Sequence, residues 1–220
     1  MIPVSVFGSS SLVPCYAVSK AADTTAVAGT NVTFELMVAN LSTVDGTAIQ
    51  LSDTFEGTTY DMWAPFPLAA GQTVTRSFTT ALPCLVGPAV NSDYGVVSAG
   101  EPYSTTAVLP VTVDVVAPTL VASYLMSAAQ IDVGATLYVT ATSTTNGTPI
   151  TSWTWDFGDG SPTVSGPLAS HVYTAPGVYS VELTIGEGCD FTAASTKQVT
   201  VGEVPQEYLV FLPLVLKLTP

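Results

Sequence analysis

The run "NVTFELMVAN" at residues 31–40 alternates without a break, with Val32, Phe34, Leu36 and Val38 on one side of an extended chain and Thr33 and Glu35 on the other. A helix would scatter those four apolar residues around its circumference, whereas a strand stacks them on one face. The pattern recurs: Ala107, Leu109, Val111, Val113 and Val115 align in "AVLPVTVDVV", Leu137, Val139 and Ala141 in "TLYVTATST", and Tyr179, Val181, Leu183 and Ile185 in "GVYSVELTI". Between such runs, "VDG", "LPC", "VGP" and "SAGEP" carry the residues that make turns.

Composition points the same way. Charged residues make up 10% of the 220-residue chain, hydrophobic residues 47%, and Ser with Thr about a quarter. That is too greasy for a disordered chain, and too poor in Lys, Arg and Glu to coat the outer faces of several helices. The expected fold class is all-β, with two tandem Ig-like β-sandwich domains and extended terminal strands. Residues 1–14 form an N-terminal arm, 15–117 the first sandwich, 118–202 the second, and 203–220 a linker with a C-terminal apolar strand.

In the second half, Trp153, Trp155 and Phe157 alternate and are expected to enter one core, followed by a tight "DGS" turn in which Gly160 takes positive φ. "WTWDFGDG" followed by "HVYTAPGVYSVELTI" resembles the PKD-type domain, an Ig-like β-sandwich of extracellular and cell-surface proteins, over about residues 118–202. The resemblance implies a spacer or interaction module rather than a catalyst. The first half resembles the Ig-like repeat domains of bacterial surface proteins through "AGTNVTFELMVANLS" and the later "LSDTF", and that likeness brings no catalytic residues.

The formal net charge is −13, because Lys20, Arg76, Lys197 and Lys217 are the whole basic complement. A phosphate-binding face needs clustered Lys and Arg, so neither a nucleic acid nor an anionic membrane surface is an expected partner. No segment reaches the roughly 20 apolar residues of a membrane span. "MIPVSVFGSS" has no basic n-region and is interrupted by Pro3 and Gly8, so it does not read as an intact signal peptide. For a secreted protein the numbering then starts at or near the mature end, or the chain is a fragment.

Catalytic signals are weak. His171 is the single histidine, no GxSxG elbow accompanies it, and a structural role at a turn or strand start is the expected one. Asp156 and Asp159 of "DFGDG" sit close together, but a Ca²⁺ loop needs six to eight oxygens. Carboxylates capping a tight turn are the expected reading. No cofactor is expected. A carboxylate pair for glycoside hydrolysis is a distant third possibility, since nothing singles out two of the 17 acidic residues.

Three of four asparagines, Asn31, Asn40 and Asn146, begin N-x-S/T sequons, and Asn91 does not. They are candidate glycan acceptors, the alternative being that Asn favours turns in a Thr-rich protein. Of the three cysteines, Cys15 and Cys84 are candidates to pair within the first half, with Cys189 alone in the second; three unbridged thiols are the alternative.

The end of the chain, "EYLVFLPLVLKLTP", is its greasiest stretch. Read as a strand, Val210, Leu212, Leu214, Leu216 and Leu218 form one aliphatic row, with Leu209, Phe211, Pro213, Val215 and Lys217 opposite. Burying the row is worth roughly 7–15 kcal/mol, and ordering about eleven residues costs a similar amount. Ladder hydrogen bonds and the second face must then supply the surplus, as they do when a donor strand completes a neighbour's sheet. The N-terminal arm, with Ile2, Val4 and Val6 alternating, is the second candidate donor. The leading expectation is a non-enzymatic, glycosylated subunit of an extracellular filament that polymerises with itself, head to tail. The alternative is a carbohydrate- or protein-binding accessory module of a larger surface protein, with "FLPLVLK" as an anchoring tail.

Overall fold

A computed structural model describes residues 5–7, 14–61, 65–98, 104–106 and 110–202, and every described element is a strand. The strands group into two compact units. The first comprises Met1–Leu120 with Thr145–Ile150 and Glu187–Phe191, and the second Val121–Thr144, Thr151–Gly186 and Thr192–Pro220. Each is a β-sandwich, and the fold is two tandem Ig-like domains.

In the first unit one sheet runs in the order Ser5–Phe7, Tyr16–Ala21, Asn31–Asn40, Thr73–Ala81. The facing sheet runs Thr25–Val27, Val111–Val116, Gly87–Ser98, Gly46–Phe55, Thr58–Asp61, with Ser104–Thr106 and Phe66–Leu68 added beside it. All pairs are antiparallel except Val111–Val116 with Thr25–Val27. The N-terminal arm enters this sandwich: Ser5, Val6 and Phe7 pair with Val18, Ala17 and Tyr16.

The alternation read at 31–40 becomes burial. Val32, Phe34, Leu36 and Val38 are buried while Asn31, Thr33 and Glu35 are exposed. From the opposite sheet Ile49, Leu51, Phe55, Ala89, Val111, Val113 and Val115 join the same core. Ala107 and Leu109 lie outside the described residues. Phe34 ties the layers together, with ring centroids 5.1 Å from Phe78 on the adjacent strand and 5.3 Å from Phe55 across the sandwich. Fully burying such a side chain stabilises by about 1.5–3 kcal/mol.

The cysteine expectation is corrected. Cys84 pairs with Cys189, at a Cα–Cα distance of 5.1 Å, and Cys15 stands outside this bond with a half-buried thiol. Halves of the sequence were a poor guide, because Glu187–Phe191 groups with the first unit, where Phe191 packs against its core. Gly29, at φ 73°, accommodates the bond: a Cβ there would lie 2.3 Å from Cys189 Sγ. The bond closes a loop of 105 residues, a length that corresponds to about 4–5 kcal/mol of loop-closure entropy.

The second unit sets a sheet of Tyr124–Met126, Thr136–Ala141 and Leu168–Val172 beside one ordered Gln130–Ile131, Thr192–Val201, Gly177–Glu187, Ile150–Asp156, Val164–Ser165. Its core is built on Trp155, Tyr124, Phe157, Tyr173, Leu137, Val139, Val181, Leu183, Ile185 and Val199. Trp155 meets Tyr124 edge-on at 5.1 Å and donates its indole N–H to Gly166 O at 2.8 Å. The Tyr173 hydroxyl donates to Phe157 O at 2.9 Å. Two of the three alternating aromatics enter this core fully; Trp153 is only half-buried.

Two glycines of "DFGDG" take positive φ for different reasons. Gly160, at 81°, turns in open space, whereas a Cβ on Gly158, at 75°, would lie 2.5 Å from the Ser180 carbonyl oxygen. Gly160→Ala is therefore expected to cost about 1 kcal/mol, the left-handed backbone term alone. Gly158→Ala adds a backbone clash and is expected to cost about 2–4 kcal/mol. Chemical denaturation of the full chain and both variants checks the order; equal costs would refute the close-approach account.

Candidate functional site

Three inward rows of the first sandwich are interrupted by polar residues. Tyr16 and Val18 share a face with Lys20; Ile49, Leu51 and Phe55 share one with Asp53; Ala89 shares one with Asn91. Lys20, Asp53 and Asn91 are 1%, 1% and 0% exposed, so none reaches solvent. Lys20 comes from one sheet, and Asp53 and Asn91 from neighbouring strands of the other. Near Asn91 the register shifts, Thr54 facing Asp93 and Phe55 facing Asn91, and such a bulge re-aims the residues beside it.

The three polar groups meet in the apolar interior. Lys20 Nζ donates to Asp53 Oδ1 at 2.6 Å and contacts Asn91 Oδ1. Asn91 Nδ2 donates to Asp53 Oδ2 at 3.0 Å, so one carboxyl group bridges the amine and the amide nitrogen. The Thr54 N–H also donates to Asp53 Oδ1, at 2.9 Å. The Lys20 ammonium stands 5.9 Å from the centroid of the Phe34 ring. Burial pushes the Asp53 carboxyl above its ordinary range, against the opposing pull of Lys20 and Asn91. An amine, an amide carbonyl and a carboxyl group are thus in contact with one another, away from water.

This cluster was not among the sites expected from the sequence. Its signal was present: a lysine, an aspartate and an asparagine each stood where the period-two pattern calls for an apolar side chain. Which strands face each other was the missing information.

The surface sites sort unequally. Asn31 opens its strand exposed, and its sequon hydroxyl, Thr33 Oγ1, lies 2.8 Å from Thr79 Oγ1. Asn146 is exposed and accepts the Thr119 N–H at 2.6 Å. Asn40 does not suit the acceptor role. It is buried, its Nδ2 donates to Val44 O at 2.8 Å and Leu68 O at 3.0 Å, and its Oδ1 accepts from the Ser42 hydroxyl and amide. This asparagine builds a turn. Val210, Phe211, Leu212, Leu214, Leu216 and Leu218, the expected polymer contacts, lie outside the described residues.

In the second unit the "DFGDG" carboxylates cap their turn: Asp156 Oδ1 accepts the Gly158 N–H at 2.8 Å and Asp159 Oδ1 the Ser161 N–H at 3.1 Å. Asp159 Oδ2 lies 2.7 Å from His171 Nε2, and the His171 ring stacks on Phe157 and meets Tyr173 edge-on. His171 therefore braces a turn against an aromatic stack. Among the described residues, no three His, Cys, Asp or Glu side chains gather as a metal-binding group. No described helix is long and apolar enough to cross a membrane.

These features define a tandem Ig-like module with a buried Lys20–Asp53–Asn91 cluster in its first sandwich. Residues 116–201 match the family model of the PKD domain. A comparison with curated proteins found no match. Among solved structures, the PKD1 domain of a Vibrio cholerae metalloprotease is similar at 26% identity, with 38% of this chain and 98% of that one covered and a TM-score of 0.34. The CARDB domain of a Pyrococcus furiosus protein is similar at 19% identity over 47% and 95% of the two chains, TM-score 0.38. Fibronectin(III)-like modules of Clostridium thermocellum CbhA follow at 15% identity over 84% and 94%, TM-score 0.32. PKD and Ig-like domains are typically extracellular modules and generally non-catalytic.

The Asp159 carboxyl is held down to about 2 from its ordinary 3.8, by the neighbouring Ser161 hydroxyl first and by the His171 ring after it. A lowered folded-state pKa contributes stability that is present above the unfolded value and lost as pH falls through the folded one. Stability of the native chain is therefore expected to drop between about pH 4 and pH 2. Asp159→Asn should flatten that part of the profile, as measured by thermal melts across the range. Parallel profiles would show that the turn does not hold this carboxylate.

Proposed function

We propose that this chain is a structural, non-catalytic subunit of an extracellular, glycosylated filament, joined head to tail by insertion of its C-terminal strand into a neighbouring subunit. The observation that carries the proposal is the pairing of the last described strand. Thr192–Val201 pairs along its length with Gly177–Glu187, and at its end Thr200 and Val201 pair on the other side with Gln130 and Ile131. Among the described residues Thr192–Val201 thus already has a strand neighbour on each side, and the sequence beyond them, 203–220, carries the aliphatic row Val210, Leu212, Leu214, Leu216, Leu218. A row of that kind gains most where it can add ladder hydrogen bonds and fill an apolar slot.

Two further observations support this reading. The Cys84–Cys189 bond suits an oxidising, extracytoplasmic setting. Asn31 and Asn146 present sequons at the surface for glycans. A repeated head-to-tail contact that does not close makes a helical polymer.

Electron microscopy of the purified full chain is expected to show filaments, and a chain ending at residue 206 is expected to stay monomeric with unchanged strand content by circular dichroism. Leu214→Asp should block assembly in the same way by placing a charge in the aliphatic row. A full chain that remains monomeric at all concentrations, or a truncated one that still polymerises, refutes the reading. A soluble monomer that binds a glycan saturably would support an accessory module in its place.

A further inference from the structure

We propose that Lys20 and Asn91 condense to form an intramolecular amide bond between the two sheets of the first sandwich, with Asp53 as the acid–base group. The proposal rests on the interior cluster alone and is independent of how the chain assembles. Three observations lead to it.

The first is selection of residue type. The chain has four basic residues, and one of them, Lys20, is buried at 1% exposure. Burying an ammonium and a carboxylate together usually stabilises no better than apolar residues of the same volume. In this core every strand around the cluster supplies such residues, so a charge pair is a costly choice for packing alone.

The second is connectivity. A lysine amine, an asparagine carboxamide and a carboxyl group form a closed set. Lys20 Nζ touches both Asp53 Oδ1 and Asn91 Oδ1, and Asn91 Nδ2 touches Asp53 Oδ2. Nucleophile, electrophile and leaving nitrogen are therefore held together by one acid. An amine held against a carbonyl in this way has a large effective concentration, which replaces the diffusive encounter.

The third is environment. Apolar walls exclude water, and the cluster lies beside Phe34. Burial raises the Asp53 carboxyl above its ordinary range, so that beside the Lys20 amine it can hold a proton as an acid.

The chemistry balances without a co-reactant. A proton passes from Lys20 Nζ to Asp53 Oδ1, leaving a neutral amine. The Nζ lone pair attacks Asn91 Cγ, and the carbonyl π pair moves to Oδ1, giving a tetrahedral adduct. Asp53 protonates Nδ2 and takes a proton from Nζ. Collapse of the adduct re-forms the carbonyl and breaks the Cγ–Nδ2 bond. Ammonia leaves, one Nζ–Cγ amide remains, and Asp53 ends protonated and unconsumed. No oxidant, metal or nucleotide is required.

Intact mass spectrometry of the full chain, produced in a host that adds no N-glycans and with its disulfide reduced, tests this directly. The native chain is expected to weigh about 17 Da less than its sequence mass, the loss of one ammonia. Digestion should yield a branched peptide that joins Lys20 to Asn91. Asp53→Ala, checked for strand content by circular dichroism, should have its full sequence mass and no branched peptide. A native chain at full sequence mass overturns the proposal whether or not any variant folds. A loss of about 18 Da with Lys20 joined to Asp53 would overturn it too, because Asp53 would then be the electrophile and water the leaving group.

Discussion

Both sandwiches depend on apolar faces packed inward from alternating strands, because the chain has almost no other adhesive to use. With only four basic residues against 17 acidic ones, surface ion pairs are few, and each exposed pair is worth at most about 1 kcal/mol. The first core joins Val32, Phe34, Leu36 and Val38 from one sheet to Ile49, Leu51, Phe55, Val113 and Val115 from the other. Period-two alternation makes this possible, and it also makes register unforgiving. A slip of one residue would turn Glu35 and Thr33 inward and send Phe34 to solvent.

Against that apolar background, the Lys20–Asp53–Asn91 cluster stands out by how completely it is satisfied from within. The Asp53 carboxylate accepts from Lys20, Asn91 and the Thr54 amide. Such satisfaction is what allows a charge pair to survive burial. It also fixes how the two sheets face each other, because Lys20 belongs to one and its partners to the other. The same contacts that specify the packing bring an amine against a carbonyl. Structural and chemical readings of the cluster thus share one geometry and differ in whether a bond has formed.

What the sequence made legible was whatever depends on near neighbours. The face of each strand, the turn at "DFGDG" and the aromatic core position of Trp155 follow from local spacing, and the second unit's motifs were specific enough to name a family. Trp153 shared the spacing of Trp155 yet is half-buried, since alternation gives the face but not the depth at a strand's start. What depends on long-range pairing was not legible. Cys84 and Cys189 meet because a short segment after Gly186 groups with the first unit, and no spacing rule reports that. Asn40 shows a different limit. Its sequon is intact, but the Ser42 hydroxyl that completes the motif bonds to Asn40 itself, and the amide nitrogen is used inside a turn.

A sandwich parts first along its weakest direction, which is an argument for where covalent bonds are useful. A sandwich held by apolar packing yields when its sheets part, since dispersion contacts fade within an ångström or so of separation. Backbone hydrogen bonds resist within a sheet but do not cross between sheets. Lys20, in Tyr16–Ala21, and Asn91, in Gly87–Ser98, lie on opposite sides of that gap. An amide between them would replace the weakest direction of the first sandwich with a covalent bond. The Cys84–Cys189 bond acts elsewhere, by closing a 105-residue loop and so limiting how far the unfolded chain can extend. One link would oppose the first step of opening, and the other limits its extent.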